Sequence, residues 1–229
     1  MLPKTNLKMA ALAIAVAMAY SCTEQAIPVE TAQRTAVPSS ASVDNARKGS
    51  SENTSTFNVS VGAPIESTTG ERWISNYTKD TSRSVKTYTI KAEALNKILC
   101  DKKCVGISLS YAQDHQKRLH VLPMGVDGEG RIISATAVYT QNGDISWKAA
   151  KSWIANYTGP VQSHFFGQNT FQRLWVNGNA DVVITFALDD NNNPQLLLAV
   201  ATPTGASGKV SAQSKFEDAS AACPPACPK

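Results

Sequence analysis

Apolar residues recur at helical spacing in some stretches of the chain and alternate or run together in others. The order of these stretches is the same in each half. Ile145, Ala149, Ser152, Trp153 and Asn156 share one face at three- and four-residue spacing, which predicts a helix over 145–157. Ser146 stands where a cap belongs, and Gly159-Pro160 ends the segment. Ile65–Tyr77 is the matching helix, with Gly70 inside it. Shorter helices are predicted over Lys91–Leu99 and Gln168–Val176, the second stopped by Asn177-Gly178. Val105–Gln113 alternates, and Asp181–Leu188 is denser in apolar residues. Each reads as a strand that turns and returns antiparallel, through Leu119–Val126 and Gln195–Ala201. Phe57–Val61 and Ala135–Tyr139 each supply an extra strand before a first helix.

The halves also match residue by residue. Trp73-Ile-Ser-Asn-Tyr77 recurs as Trp153-Ile-Ala-Asn-Tyr157, an offset of 153 − 73 = 80, and Ile65 matches Ile145 at the same offset. Tyr88-Thr89-Ile90 then aligns with His164-Phe165-Phe166, and Leu95–Leu99 with Phe171–Trp175. Tyr111–Asp114 aligns with Phe186–Asp189, Leu119–Val126 with Leu196–Pro203, and Gly128 with Gly205. Hydrophobic positions correspond while polar identities drift, as when a duplicated unit diverges under a packing constraint. The expected fold is α+β: two tandem strand-helix-helix-strand-strand repeats, residues 56–130 and 131–206. They share one antiparallel sheet packed against helices, with a pseudo-twofold axis between them. Residues 207–229 form a C-terminal tail.

The N-terminal pattern differs. Lys4 and Lys8 precede the apolar run Met9–Tyr20, too short for the roughly 20 residues a bilayer span needs. Residues 1–21 therefore read as a signal peptide. Ala19-Tyr20-Ser21-Cys22 resembles the lipobox of bacterial lipoproteins, which implies cleavage before Cys22 and acylation of that cysteine. Ala19 and Tyr20 depart from the usual pattern, and an ordinary secretory peptide is the alternative. Residues 22–55 are rich in Ser, Thr, Ala and Pro and hold no aromatic residue, so they read as a disordered tether with a reach of about 30 Å. The expected location is extracytoplasmic and lipid-anchored. Thr23-Glu24 lacks the aspartate associated with inner-membrane retention, which points to the outer membrane.

Charge narrows the partners. Removing Lys4 and Lys8 from 22 basic residues leaves 20 against 18 acidic ones, so nothing draws the mature chain to nucleic acid. With Cys22 taken by lipid, four cysteines remain: Cys100, Cys104, Cys223 and Cys227. An even number in an exported protein argues for two disulfides, either Cys100–Cys104 with Cys223–Cys227 or a crossed pairing. A four-cysteine zinc site and a redox pair are the sharper readings that spacing allows.

The Trp-x-x-Asn-Tyr helix, the run Ser163-His-Phe-Phe-Gly167, the hairpin with Phe186–Asp189 and the terminal Cys223-Pro-Pro-Ala-Cys227 resemble a group of uncharacterised Bacteroidetes secreted proteins and lipoproteins. The resemblance spans about residues 65–227 and implies fold and compartment rather than activity. Members tend to carry a cysteine before the first hairpin strand, where Cys104 stands; Ala180 stands there in the second half.

No catalytic constellation, metal site or cofactor is predicted. Ser163 and His164 are adjacent, so their side chains diverge on any extended backbone. His115 lies in a turn, and His120 on a strand without ligand spacing. Asp189-Asp190 with Asn191–Asn193 resembles a calcium loop in composition but lacks its spacing and central glycine. Trp73, Asn76, Tyr77, Trp153, Asn156 and Tyr157 suggest a binding groove between the repeats. Packing roles for the aromatics and helix-end caps for the asparagines are the simpler reading. His164, beside Ser163, is the remaining binding candidate. The function expected is a lipid-anchored, non-catalytic binding or interaction module, with the membrane as one partner and an envelope protein, peptide or glycan as another. A hydrolase with an inter-repeat cleft and a structural envelope protein are the alternatives.

Overall fold

The computed structural model describes residues 56–81, 87–133, 137–176, 179–201, 216–218, 220–223 and 227–229. The signal peptide, Cys22, the tether and the Asn177-Gly178 stop lie outside the described residues. The first half runs β1 (Ala63–Ile65), α1 (Ser67–Thr78), β2 (Thr87–Ile90), α2 (Ala92–Leu99), β3 (Cys104–Gln113) and β4 (Leu119–Asp127). The second runs β5 (Ala137–Val138), β6 (Ile145–Ser146), α3 (Trp147–Asn156), β7 (Ser163–Gly167), α4 (Gln168–Leu174), β8 (Val182–Leu188) and β9 (Pro194–Val200). β10 (Phe216–Asp218) and β11 (Ala221–Cys223) follow. The class is α+β.

Both hairpins form, and their turns are built alike. Asp114 Oδ1 accepts from the amides of Gln116 and Arg118, and Asp189 Oδ1 from those of Asn191 and Asn193. The next-to-last turn residue is left-handed in each, Lys117 at φ 63° and Asn192 at φ 62°. Equal turns correct the alignment of the returning strands. Tyr111 faces Val121 and Phe186 faces Leu196, so Val121, not Leu119, occupies the place of Leu196. The shift is two residues, which keeps every side chain on its face.

The expectation of one shared sheet is overturned. β3 and β4 belong to a four-stranded sheet ordered β11-β7-β3-β4, and β8 and β9 to a five-stranded sheet ordered β1-β10-β9-β8-β2. β5 and β6 form a separate pair. Each hairpin is extended by a strand from the other half. β7 pairs with β3, setting His164 opposite Leu109 and Phe166 opposite Ile107. β2 pairs with β8, setting Tyr88 opposite Ile184 and Ile90 opposite Val182. Pattern alone misses β2 and β7, because four or five residues between two helices are too few to display a period. The strand before α1 is Ala63–Ile65 rather than Phe57–Val61, and the tail carries two strands that lack any alternating run.

The inner faces meet in one core. Ile107, Leu109, Tyr111 and Val121 pack with Ile90, Val182, Ile184, Phe186, Leu196 and Leu198, joined by Leu95 of α2 and Phe171 of α4. α3 covers Ala112 and Leu122 on the outer face of the smaller sheet. α1 covers Ala187, Leu197 and Ala199 on the outer face of the larger, together with Phe216. The buried Gly70 lets α1 lie against that phenylalanine, since a Cβ there would run into its ring.

Gly70→Ala should therefore lower unfolding free energy by about 1–3 kcal/mol through overpacking, although alanine is the better helix former. Urea denaturation followed by far-UV circular dichroism measures it; an unchanged or raised midpoint would contradict the close approach of α1 to β10.

Candidate functional site

The residues expected to bind fall into three places. Trp73 packs with Ile65 and Ile74 on the outer cluster of the larger sheet, and Trp153 with Ile154 on that of the smaller. The Trp153 indole also stacks on the His120 ring at 4.7 Å. Neither tryptophan lines a groove between the halves. Asn76 and Asn156 each donate to a carbonyl at the end of a hairpin strand in the other half, Leu188 at 3.4 Å and Gln113 at 3.2 Å. They hold helices to sheets rather than a ligand.

Tyr77, Tyr157 and His164 do converge. Tyr157 stacks on Tyr111 at 5.2 Å, Tyr77 lies 5.7 Å from Phe186, and Tyr111 and Phe186 touch each other at 5.9 Å. His164 meets the Tyr111 ring edge-on at 5.9 Å. Burial pushes the Tyr111 phenol well above its ordinary pKa, with Tyr157 and Tyr77 adding to the rise. This cluster joins the two sheets, with Tyr111, Phe186 and His164 buried and Tyr77 and Tyr157 partly buried against them.

His164 is fully buried on β7. Its Nδ1 shares a hydrogen bond of 2.8 Å with Ser220 Oγ, and its Nε2 meets no partner among the described residues. No carboxylate orients the ring, so the hydroxyl and imidazole do not make the three-part arrangement a nucleophilic hydrolase uses. Burial holds its pKa down to about 4.

The other histidine on a strand is tied into a turn. His120 Nε2 lies 3.1 Å from Asp114 Oδ2, which also accepts from Arg118 Nε at 2.7 Å. Burial opposes ionisation of Asp114. The bonds from Arg118, His120 and Gln116 outweigh it and hold the carboxyl well below its usual range. Asp189 Oδ2 is likewise engaged, by Asn193 Nδ2 and Gln195 Nε2, so the candidate calcium loop spends this carboxylate on its own turn.

Cys223 and Cys227 form a disulfide. Cys104 is a free, buried thiol whose pKa burial pushes up, and its Sγ lies 3.2 Å from the Gly106 carbonyl. The Cys100–Cys104 bridge is therefore not formed; Cys100 is disulfide-bonded, but not to Cys104, and the four-cysteine zinc site is excluded. Among the described residues no three His, Cys, Asp or Glu side chains gather to hold a metal.

The open site lies elsewhere. A groove of about 610 Å³ runs between α2, β4 and the β5–β6 pair. Ala94, Ile98, Met124, Ile133, Val138 and Trp147 give it an apolar lining, and Lys91, Lys97, Glu93, Asp101 and Asp144 stand around it. Lys97 Nζ lies 2.9 Å from Glu93, and Lys91 Nζ 2.8 Å from Asp181.

The corresponding region of the other half is closed. There β9 pairs with β10, Leu198 opposite Glu217. Arg173 of α4 donates through Nε and Nη2 to the Glu217 carboxylate, and through Nη2 to the Gly62 carbonyl and Thr170 Oγ1. The hairpin register puts Pro123 at Leu198's place, and the aligned short helices put Lys97 and Ala94 at those of Arg173 and Thr170. Ile65 faces Phe216 where Ile145 faces Val138, so Tyr139 occupies the place of Glu217. Proline brings no N–H to that seam, and β4 and β5 lie in different sheets. Sequence reasoning missed the groove because its lining comes from segments remote in the chain; the departures at Pro123 and Lys97 were the available signal.

No protein-family model, no curated protein and no solved structure matches this chain.

The buried imidazole sets a pH dependence. His164 is held neutral near pKa 4 in the fold, against about 6.5 when unfolded. Its contribution is fully present above about pH 6.5 and is lost as pH falls toward 4, reaching about 3 kcal/mol. Urea midpoints for native chain and His164→Phe between pH 7 and 4 should show a fall in the first and a flatter profile in the second. Parallel profiles would remove His164 as the cause.

Proposed function

We propose that this chain is a lipid-anchored extracytoplasmic lipoprotein whose folded unit is a non-catalytic binding module, with its ligand site in the groove between α2, β4 and β5–β6. The carrying observation is the contrast between two corresponding regions. One is closed by strand pairing and the Arg173–Glu217 clamp. The other is left open where Pro123, Lys97, Ala94 and Tyr139 replace the closing residues. A volume of about 610 Å³ falls within the several-hundred-Å³ range of small-molecule sites. A mostly apolar lining with a few charged groups at its margin is the usual composition of such sites.

In this reading the chain is a duplicated unit with approximate twofold symmetry, and the groove is where the copies have diverged. The exchanged pairings support it, since His164–Leu109 and Tyr88–Ile184 are the same pair of positions seen from each half. Anchoring at Cys22 rests on the lipobox-like run and is checked separately by the intact mass of chain extracted from native membranes. An N-terminus without acyl groups would withdraw the anchor and leave the groove untouched.

For the groove, titration of the full chain with octanol should shift amide resonances of Ala94, Ile98, Met124 and Trp147. Ala94→Phe, which fills the space, should weaken that binding about tenfold or more while changing stability by less than about 1 kcal/mol. Shifts spread over the whole surface, or equal binding by Ala94→Phe, would remove the groove as the site.

A further inference from the structure

Resting on that reading of the groove, we infer that its ligand is a small apolar monocarboxylate, with the carboxylate on Lys97 and the apolar stem along Ala94, Ile98 and Met124. The molecule displays the same recognition in its closed half. At the place matching Lys97, the guanidinium of Arg173 holds the carboxylate of Glu217, whose side chain is only 5 % exposed, with the shortest contact at 2.7 Å. A cation at this position of the short helix is thus already fitted to a carboxylate arriving over the edge of the hairpin sheet.

In the open half that acid is missing. Tyr139 stands at Glu217's place and packs its ring on the central core instead. Lys97 is paired with Glu93, one helical turn earlier, in a pair exposed by 71 % and 80 %, with Asp144 acting on it more weakly. Solvent screens such a pair heavily, so a ligand carboxylate that also buries an apolar stem can displace Glu93. Lys91 stands on the same side, held to Asp181.

The remaining charges decide the number of carboxylates. Asp101 and Asp144 line the groove together with Glu93, and Asp144 acts on Lys97 closely enough to help raise its pKa, after Glu93. A second ligand carboxylate would meet these three acids. A single one meets lysine. The predicted order is therefore octanoate first, octanol next and octanedioate last, with octylammonium, which the three acids would attract, as the opposing probe.

The test titrates the full chain at pH 7 with those four probes, reading amide shifts in residues 91–101, Met124 and Gly125. Octanoate is expected to bind at least tenfold more tightly than octanol. Lys97→Gln should bring it to octanol's level, Lys97→Arg should restore it, and Lys97→Glu should favour octylammonium. Because Lys97 is largely exposed, these variants keep the fold. Octylammonium binding as well as octanoate, or octanoate binding unchanged in Lys97→Gln, would overturn the carboxylate assignment while octanol binding kept the groove. No shift with any probe would overturn both.

Discussion

The exchange of strands between the halves is the constraint from which the architecture follows. The β3–β4 hairpin is completed by β7 from the second half, and the β8–β9 hairpin by β2 from the first. A two-stranded hairpin is at best marginally stable in water, and a third strand with a buried face is what makes it persist. Neither half holds either of the two larger sheets on its own. The helices follow the same rule, since α1 lies on the sheet of β8 and β9 and α3 on that of β3 and β4. Asn76 and Asn156 secure these crossings by bonding to strand ends in the opposite half. The two halves thus complete each other's sheets, and the central aromatic cluster joins those sheets.

Closure of the chain on itself adds a second layer. β10 returns from the C-terminal side to pair with both β9 and β1, while β11 pairs with β7. Lys229 exchanges main-chain bonds with Gly130 and Ile132 beside the first hairpin. The Cys223–Cys227 disulfide shortens the span between β11 and these last contacts. The buried carboxylate of Glu217 meets the more exposed Arg173 under this clasp, and a buried charge is costly unless its pairing and remaining bonds are good. Here the guanidinium also reaches Gly62 and Thr170, which satisfies that condition. On the other side Pro123 and Tyr139 leave the equivalent seam unzipped. Stability is concentrated where the chain closes, and space is left where it does not.

Much of the fold was legible along the chain. The Trp-x-x-Asn-Tyr segments, the alternating runs and the Asp-led turns located four helices and both hairpins to within a few residues, because each displays its own period or turn chemistry over enough length. The short strands β2, β7, β10 and β11 carry no such signature, and their pairing depends on which edge is free. The candidate site was less legible. Tyr77, Tyr157 and His164 gather around Tyr111 and Phe186, with His164 buried and the two tyrosines partly buried against the central core. Trp73 and Trp153 turned out to pack on outer faces, since a large aromatic on an amphipathic helix follows the nearest apolar sheet. Cys104 illustrates the same limit: proximity to Cys100 in sequence suggested a bridge, but the start of β3 buries its thiol against Gly106.

Local order is what the amino-acid sequence determined by itself: where helices and hairpins begin and end. These depend on period and turn residues, both of which act over a few positions. Only the tertiary structure decided that two sheets form rather than one, that strands cross between halves, and that the groove opens beside α2 and not between the tyrosines. Those outcomes turn on which edges find partners and which side chains share a seam, such as Pro123 with Tyr139 or Leu198 with Glu217. Such choices are made by contacts between residues far apart in the chain, where local pattern carries no information.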